Sequence, residues 1–283
     1  MATKGNVKSK KRVAIAMAGA LALTSLFAAC QDRQMIDTEI GQQSYRSLEE
    51  LRNESLPTRS KEFGDKQYLI TSERAVLEIS TEFKWAIKDY FKKYGASDWS
   101  NPDDKQFWPE DIEYVITAIA YKESSYRTNC INDRGCAGLT GLNKNDLLVS
   151  LNVWTNAPAW GSNKPYINCN PDEVDVFNGA RAIEYAYYNV GYNLANFLKK
   201  DKVFIHENGN QYCIWDYVEY SDEMQLRMLI ASHFFGIGNV VDSALGIHKD
   251  NIKIEQYVYS NYVENVLDKA YSMINIYEPQ LGY

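Results

Sequence analysis

At 283 residues, 45% hydrophobic and 24% charged, the chain is long enough for a folded core and too polar for a polytopic membrane protein. Residues 1–29 hold five of its 30 basic residues and none of its 37 acidic ones, so the remainder has 25 against 37, a net charge of −12. That balance argues against nucleic acid as a partner.

The amino terminus reads as an export signal. Lys4, Lys8, Lys10, Lys11 and Arg12 precede the apolar run "VAIAMAGALALTSLFAA" and then Cys30, the order of a basic region, a hydrophobic stretch and small residues before a cleavage point. A run of 17 residues rich in Ala is short and weakly apolar for a membrane span. "LFAAC" resembles a bacterial lipoprotein signal, although Phe27 stands where Leu is commoner. The resemblance implies a signal peptide over residues 1–29 and a lipidated Cys30 that anchors the protein to a membrane on the periplasmic side of the envelope. Gln31 in place of Asp favours the outer membrane. Residues 30–66 then read as the lipidated cysteine and a flexible polar tether, with a short helix near "SLEELRN", and residues 67–283 as the folded domain.

The domain reads as mainly α. Val76, Ile79, Phe83, Ile87, Tyr90 and Tyr94 mark one face of a first helix, which Gly95 closes. A second helix starts at Pro109, with Glu110, Asp111 and Glu113 at its positive end and Ile112, Val115, Ile116, Ile119 and Ala120 along one stripe. The next member of that stripe is Glu123. If the helix reaches it, the carboxylate lies at a buried edge near the negative end of the dipole, where a protonated general acid is favoured. If the helix stops a residue or two earlier, Glu123 is a solvated loop residue.

Residues 143–175, with three Pro, two Trp and many Asn, read as a long surface insertion. A helix over about 175–200 turns Ala180, Ile183, Tyr187, Val190, Leu194 and Phe197 inward. Asn208-Gly209, flanked by β-prone residues within 201–220, predicts a small hairpin. Ser221 caps a helix ending at Phe235 and Gly236, and a last helix spans roughly 253–275. The 21 tyrosines and many Asn suit carbohydrate contact, while for any single tyrosine amphipathic packing is the simpler reading. Besides Cys30, four cysteines remain, Cys130, Cys136, Cys169 and Cys213, which in an exported protein predicts two disulfides in one of three pairings. A zinc site is disfavoured: no C-x-x-C is present, and the histidines are His206, His233 and His248.

From Glu123, "ESSY" followed at Gly135 by "GCAGL" resembles the lysozyme-like lytic transglycosylases of the soluble lytic transglycosylase type. Their signature is Glu-Ser-x-aromatic, a loop, then Gly-x-x-Gly-Leu-Met-Gln, and Glu123, Ser124, Tyr126, Gly135, Gly138 and Leu139 match it. Weaker similarity covers most of residues 75–275: "NGARAIEYAYYNV", "SHFFGIGNV" with Gly236 and Gly238, and "NYVENVL", which would bring Tyr262 near the cleft. Thr140 and Gly141 occupy the Met and Gln positions, and His233 and Phe234 those of a later Tyr-Asn pair. The resemblance implies a goose-lysozyme-like helical fold with Glu123 as sole catalytic acid and base. It implies Ser124, Tyr126, Gly138, Leu139, Thr140, His233 and Tyr262 as substrate-binding residues, peptidoglycan strands as substrate, no cofactor or metal, and a monomer. Glu123 would protonate the oxygen between N-acetylmuramic acid and N-acetylglucosamine, then take the C6 hydroxyl proton, giving a 1,6-anhydro sugar. A hydrolytic muramidase of the same fold and a silent glycan-binding lipoprotein are the competing readings.

Overall fold

The computed structural model describes residues 46–94, 109, 111–132, 135–143, 175–247, 254–258 and 260–278. The signal, Cys30, Gln31, Gly95, Glu110, Asp133, His248 and the expected insertion from residue 144 to 174, with Cys169, lie outside them.

The unit that starts at Arg46 is mainly helical. Its first element is the short helix expected near "SLEELRN", found docked rather than within a flexible tether. Helix α1 (Leu48–Arg52) is closed by a capping box in which Ser47 and Glu50 satisfy each other's backbone N–H groups. Leu48 and Leu51 are buried, and Arg52 pairs with Glu184 at 2.6 Å, so α1 is docked on the core. A hairpin follows, β1 (Thr58–Phe63) and β2 (Lys66–Thr71), joined by Gly64-Asp65 with Gly64 at φ 60°. The flexible-tether reading therefore fails over residues 46–66, where folded elements stand.

Helix α2 (Glu73–Tyr94) carries the expected inner face, with Val76, Ile79, Phe83 and Ile87 buried. It packs against α3 (Ile112–Ser124), the central helix, which also touches α4 (Gly179–Asn193) and α8 (Asn261–Tyr277). Helix α3 begins later than Pro109 predicted, because Pro109 contributes its carbonyl to the Ile112 N–H rather than a helical turn. Enclosure by three helices explains why Ile112 through Ala120 is buried all round instead of along one stripe. Glu113, inside this shell, is tied to Lys84 at 2.8 Å.

Asn178 caps α4, its side chain accepting from the Arg181 N–H at 3.0 Å, and the helix ends in one wide π turn, Leu194–Leu198. Ala180, Ile183, Tyr187, Val190 and Leu194 are buried as expected. The small hairpin forms, β5 (Phe204–Ile205) against β6 (Gln211–Tyr212). Ser221 caps α5 (Asp222–Phe235) through Met224 N–H at 3.0 Å, and Gly236, at φ 81°, turns the chain into α6 (Ile237–Ala244). The single last helix expected over 253–275 is two, α7 (Ile254–Val258) and α8, because Ser260 turns extended and caps the second. Among the described residues no helix is long and apolar enough to cross a membrane.

Candidate functional site

Helix α3 does reach Glu123, which is its penultimate residue. The helix stops because Ser125 and Tyr126 both adopt left-handed backbone, φ 52° and 63°. Two successive non-glycine residues there cost about 1–2 kcal/mol each, and the gain is a reversal. The chain turns back at once along β2, with Thr71 N–H bonded to Tyr126 O at 3.0 Å and Thr128 N–H to Leu69 O at 2.9 Å.

Ser124 locks the loop to this end. Its hydroxyl meets both Ala120 O at 2.8 Å and Leu139 O at 2.7 Å. The loop folds into a short antiparallel pair, β3 (Cys136–Ala137) with β4 (Leu142–Asn143). Gly138, at φ 74°, lies where a Cβ would stand 1.8 Å from Val176 O, so no side chain fits. Gly141, at φ 64°, is the glycine that touches the acid: a Cβ on it would meet Glu123 Oε2 at 2.6 Å and Glu123 Cβ at 2.8 Å. Glu123 thus lies flat against the loop backbone.

Its other oxygen is held from α8. The Tyr262 hydroxyl donates to Glu123 Oε1 at 2.6 Å. Burial, then the Glu123 charge and this hydrogen bond, push the Tyr262 phenol well above its ordinary range, so it keeps its proton and acts as a donor. The end of α5 braces both sides. Phe234 stacks on Tyr262 with centroids 4.5 Å apart and planes 22° apart. His233 Nε2 lies 2.9 Å from Thr140 O, and because a carbonyl only accepts, Nε2 carries the proton. Its buried Nδ1 has no hydrogen-bond partner among the described residues.

The residues expected to bind substrate divide accordingly. Tyr262 and His233 stand at the acid or at its loop. Ser124, Gly138, Leu139 and Thr140 are buried, as Tyr262 is, and lie in or against the loop that meets the acid. Thr140 Oγ1 is turned to Ala182 O at 3.2 Å. Tyr126 is also buried, its hydroxyl given to Glu73 at 3.0 Å, where Tyr277 and Lys269 converge as well. Gly141 and Phe234 both stand where the sequence departs from the family pattern: Gly141 touches the acid, a contact that needs the loop's path, and Phe234 stacks on Tyr262.

No disulfide joins Cys130, Cys136 and Cys213. The strand register explains the missing staple in the loop: Gly138 N–H meets Cys130 O at 2.9 Å and Asn132 N–H meets Cys136 O at 2.9 Å, so the two cysteines are not opposite each other. Among the described residues no group of three or more His, Cys, Asp or Glu side chains is placed to hold a metal ion.

What remains is one carboxylate with a neutral phenol donor on one oxygen and glycine backbone on the other, an arrangement able to give and to take a proton. No protein-family model matches the chain, and no curated protein matches it.

Proposed function

We propose that the chain is a peptidoglycan lytic transglycosylase, held by a lipid on Cys30 at the periplasmic face of the outer membrane and working as a monomer. The observation that carries this reading is Glu123 at the end of a buried helix, bonded to Tyr262 at 2.6 Å and pressed on Gly141, within the Glu-Ser-x-Tyr to Gly-x-x-Gly-Leu spacing.

Glu123 gives its proton to the glycosidic oxygen between N-acetylmuramic acid and N-acetylglucosamine as the bond to the anomeric carbon breaks. The substrate's own acetamido carbonyl stabilises the sugar cation, so the reaction needs no second carboxylate. Glu123, now ionised, takes the proton of the C6 hydroxyl as its oxygen closes on the anomeric carbon. The product is a 1,6-anhydro ring, the acid is regenerated, and no water is consumed. Tyr262 supplies a donor that stabilises the ionised stage.

Glu123→Gln tests this. Release of anhydro-muropeptides from purified sacculi, followed by mass spectrometry, is expected to fall by at least roughly 10²- to 10⁴-fold, the usual contribution of a general acid–base group. A folded variant releasing them at the wild-type rate removes the mechanism, and products with reducing ends instead identify a hydrolase. A silent glycan-binding lipoprotein is the second reading. It is favoured by the replacement of the family's Gln and Tyr-Asn positions with Gly141, His233 and Phe234, and it requires that wild-type protein release neither product.

A further inference from the structure

The β1–β2 hairpin sorts its side chains by sign. Strand alternation puts Arg59, Lys61 and Phe63 on one face of β1, and the register sets Ile70, Tyr68 and Lys66 across from them on that face. The chain after α3 widens the sheet, with Arg127 opposite Ile70. Four cations and two aromatic rings thus share one face, while Glu62 falls on the other and Asp65 in the turn. The rings support the charges. Lys61 Nζ stands 4.7 Å from the Phe63 centroid and Arg127 Cζ 4.7 Å from that of Tyr68, and the two rings meet edge-on at 5.9 Å and 62°. The Arg127 Nε–H also donates to Ser124 O at 2.6 Å. Elsewhere Arg46, Arg52, Lys84, Arg227 and Lys269 are each matched to an acid. Among the described residues none of the four cations on this face is, and Arg59, Lys61 and Lys66 are exposed.

We propose that this face docks on an anionic phospholipid bilayer, a second membrane contact beside the proposed lipid on Cys30, on which the choice of occupant rests. Residues 31–45 separate Cys30 from Arg46, and fifteen residues reach about 50 Å at full extension, so the hairpin lies within range of the bilayer that holds the anchor. A flat sheet of spaced cations matches a plane of headgroup phosphates better than a single anion, and each Lys or Arg brought to an anionic leaflet strengthens binding about 5-fold. Phe63, half exposed beside the hairpin turn, suits the headgroup boundary. The acidic balance of the whole chain does not oppose this. Charges are screened beyond about 8 Å at physiological salt, so the bilayer responds to the face turned toward it. Arg127 links that face to the carbonyl next to Glu123, so docking sets how the end of α3 stands to the membrane.

The chain from residue 30 onward with Cys30→Ala carries no lipid and reads the face without the anchor. It is co-sedimented with vesicles of phosphatidylethanolamine and phosphatidylglycerol in equal parts, and with phosphatidylcholine alone. Partition onto the anionic vesicles only is expected, with loss at high salt. Lys61→Gln/Lys66→Gln should weaken it about 25-fold, two charges at about 5-fold each, while Lys200→Gln/Lys202→Gln, an equal change of net charge outside the face, stays within about 2-fold of the parent. Both positions on the face are exposed and Gln keeps most of the stem, and thermal unfolding checks that the fold is kept. No partition by the parent, equal partition onto phosphatidylcholine, or equal losses in the two double variants overturns the proposal. The rival occupant is the carboxylates of peptidoglycan stem peptides: if Lys61→Gln/Lys66→Gln loses binding to purified sacculi and keeps its vesicle partition, the face belongs to them and the membrane contact falls. Labelled fatty acid on the wild-type chain reads the Cys30 anchor separately, so failure of the anchor is distinguished from failure of the face.

Discussion

Gly141→Ala is the substitution through which the site is most directly challenged. A methyl at position 141 would lie 2.6 Å from Glu123 Oε2, 2.8 Å from Glu123 Cβ and 2.9 Å from Glu123 Cγ. The carboxylate oxygen alone could swing away. The Cβ cannot, because α3 fixes it, so either the loop or the end of α3 must retreat by about 1 Å to restore van der Waals separation. Overpacking of this kind costs about 1–3 kcal/mol, and a non-glycine residue at the φ of 64° found here adds about 1–2 kcal/mol. Gly209 separates the two terms: it has φ 81° and nothing within 4 Å of its added Cβ, so Gly209→Ala carries the backbone cost alone. Urea unfolding should therefore place Gly141→Ala below Gly209→Ala by roughly the overpacking term. A shift of about 1 Å at Glu123 should also reduce anhydro-muropeptide release by about 10²-fold, while Gly209→Ala leaves it unchanged. Equal stability of the two variants, or near wild-type turnover by Gly141→Ala, refutes the contact between the loop and the acid.

Alkaline stability follows from the buried phenols. Tyr187, Tyr188 and Tyr262 are each held well above the ordinary value of 10.0, burial being the largest cause in all three. The folded state keeps these protons where the unfolded chain releases them, so their contribution is whole below pH 10 and is lost as pH rises beyond it, by up to about 4 kcal/mol for each further unit. Flat urea midpoints between pH 9 and 11.5 would contradict this. Ser124→Ala removes the hydroxyl that joins Ala120 O to Leu139 O, and should cost about 1–3 kcal/mol in urea unfolding, with faster amide exchange in the 138–141 loop. Unchanged exchange there would show the loop to be held by other means. Lys84→Met leaves Glu113 buried without its cation and should cost about 3–5 kcal/mol, most of it recovered by adding Glu113→Leu. A double variant no more stable than the single one counts against the pair.

The helices were legible where burial is one-sided. Val76, Ile79, Phe83 and Ile87 form such a stripe, and Ala180, Ile183, Tyr187 and Val190 another, because each helix shows one face to the core. For α3 periodicity fell short, since Glu113, Tyr114, Thr117 and Ala118 are buried too and no polar face marks the stripe's edge. The β1–β2 hairpin was missed for the opposite reason: all six residues of β1 are exposed, so "TRSKEF" has no alternation and reads as linker. A signal was present in Gly64-Asp65, a two-residue turn between paired Phe63 and Lys66. The break before α8 was legible too, in Ser260 as a cap.

At the site, sequence spacing reaches only neighbours along the chain. Glu123, Ser124 and the glycine loop lie within twenty residues and could be read as a group, but the bond from Tyr262 spans 139 positions and no periodicity encodes it. Resemblance to a family pointed to Tyr262 and equally to Ser124, Leu139 and Thr140, since a shared motif does not say whether a residue touches a ligand or holds the one that does. All four are buried, so each acts through its neighbours, Tyr262 through its bond to Glu123 and Ser124 through its hydroxyl to Leu139 O. The two departures Gly141 and Phe234 meet at the acid and its donor, Gly141 against Glu123 and Phe234 against Tyr262. One removes a side chain from the loop side of Glu123, the other stacks a ring on Tyr262, and among the described residues Tyr262 is the polar side chain bonded to the acid.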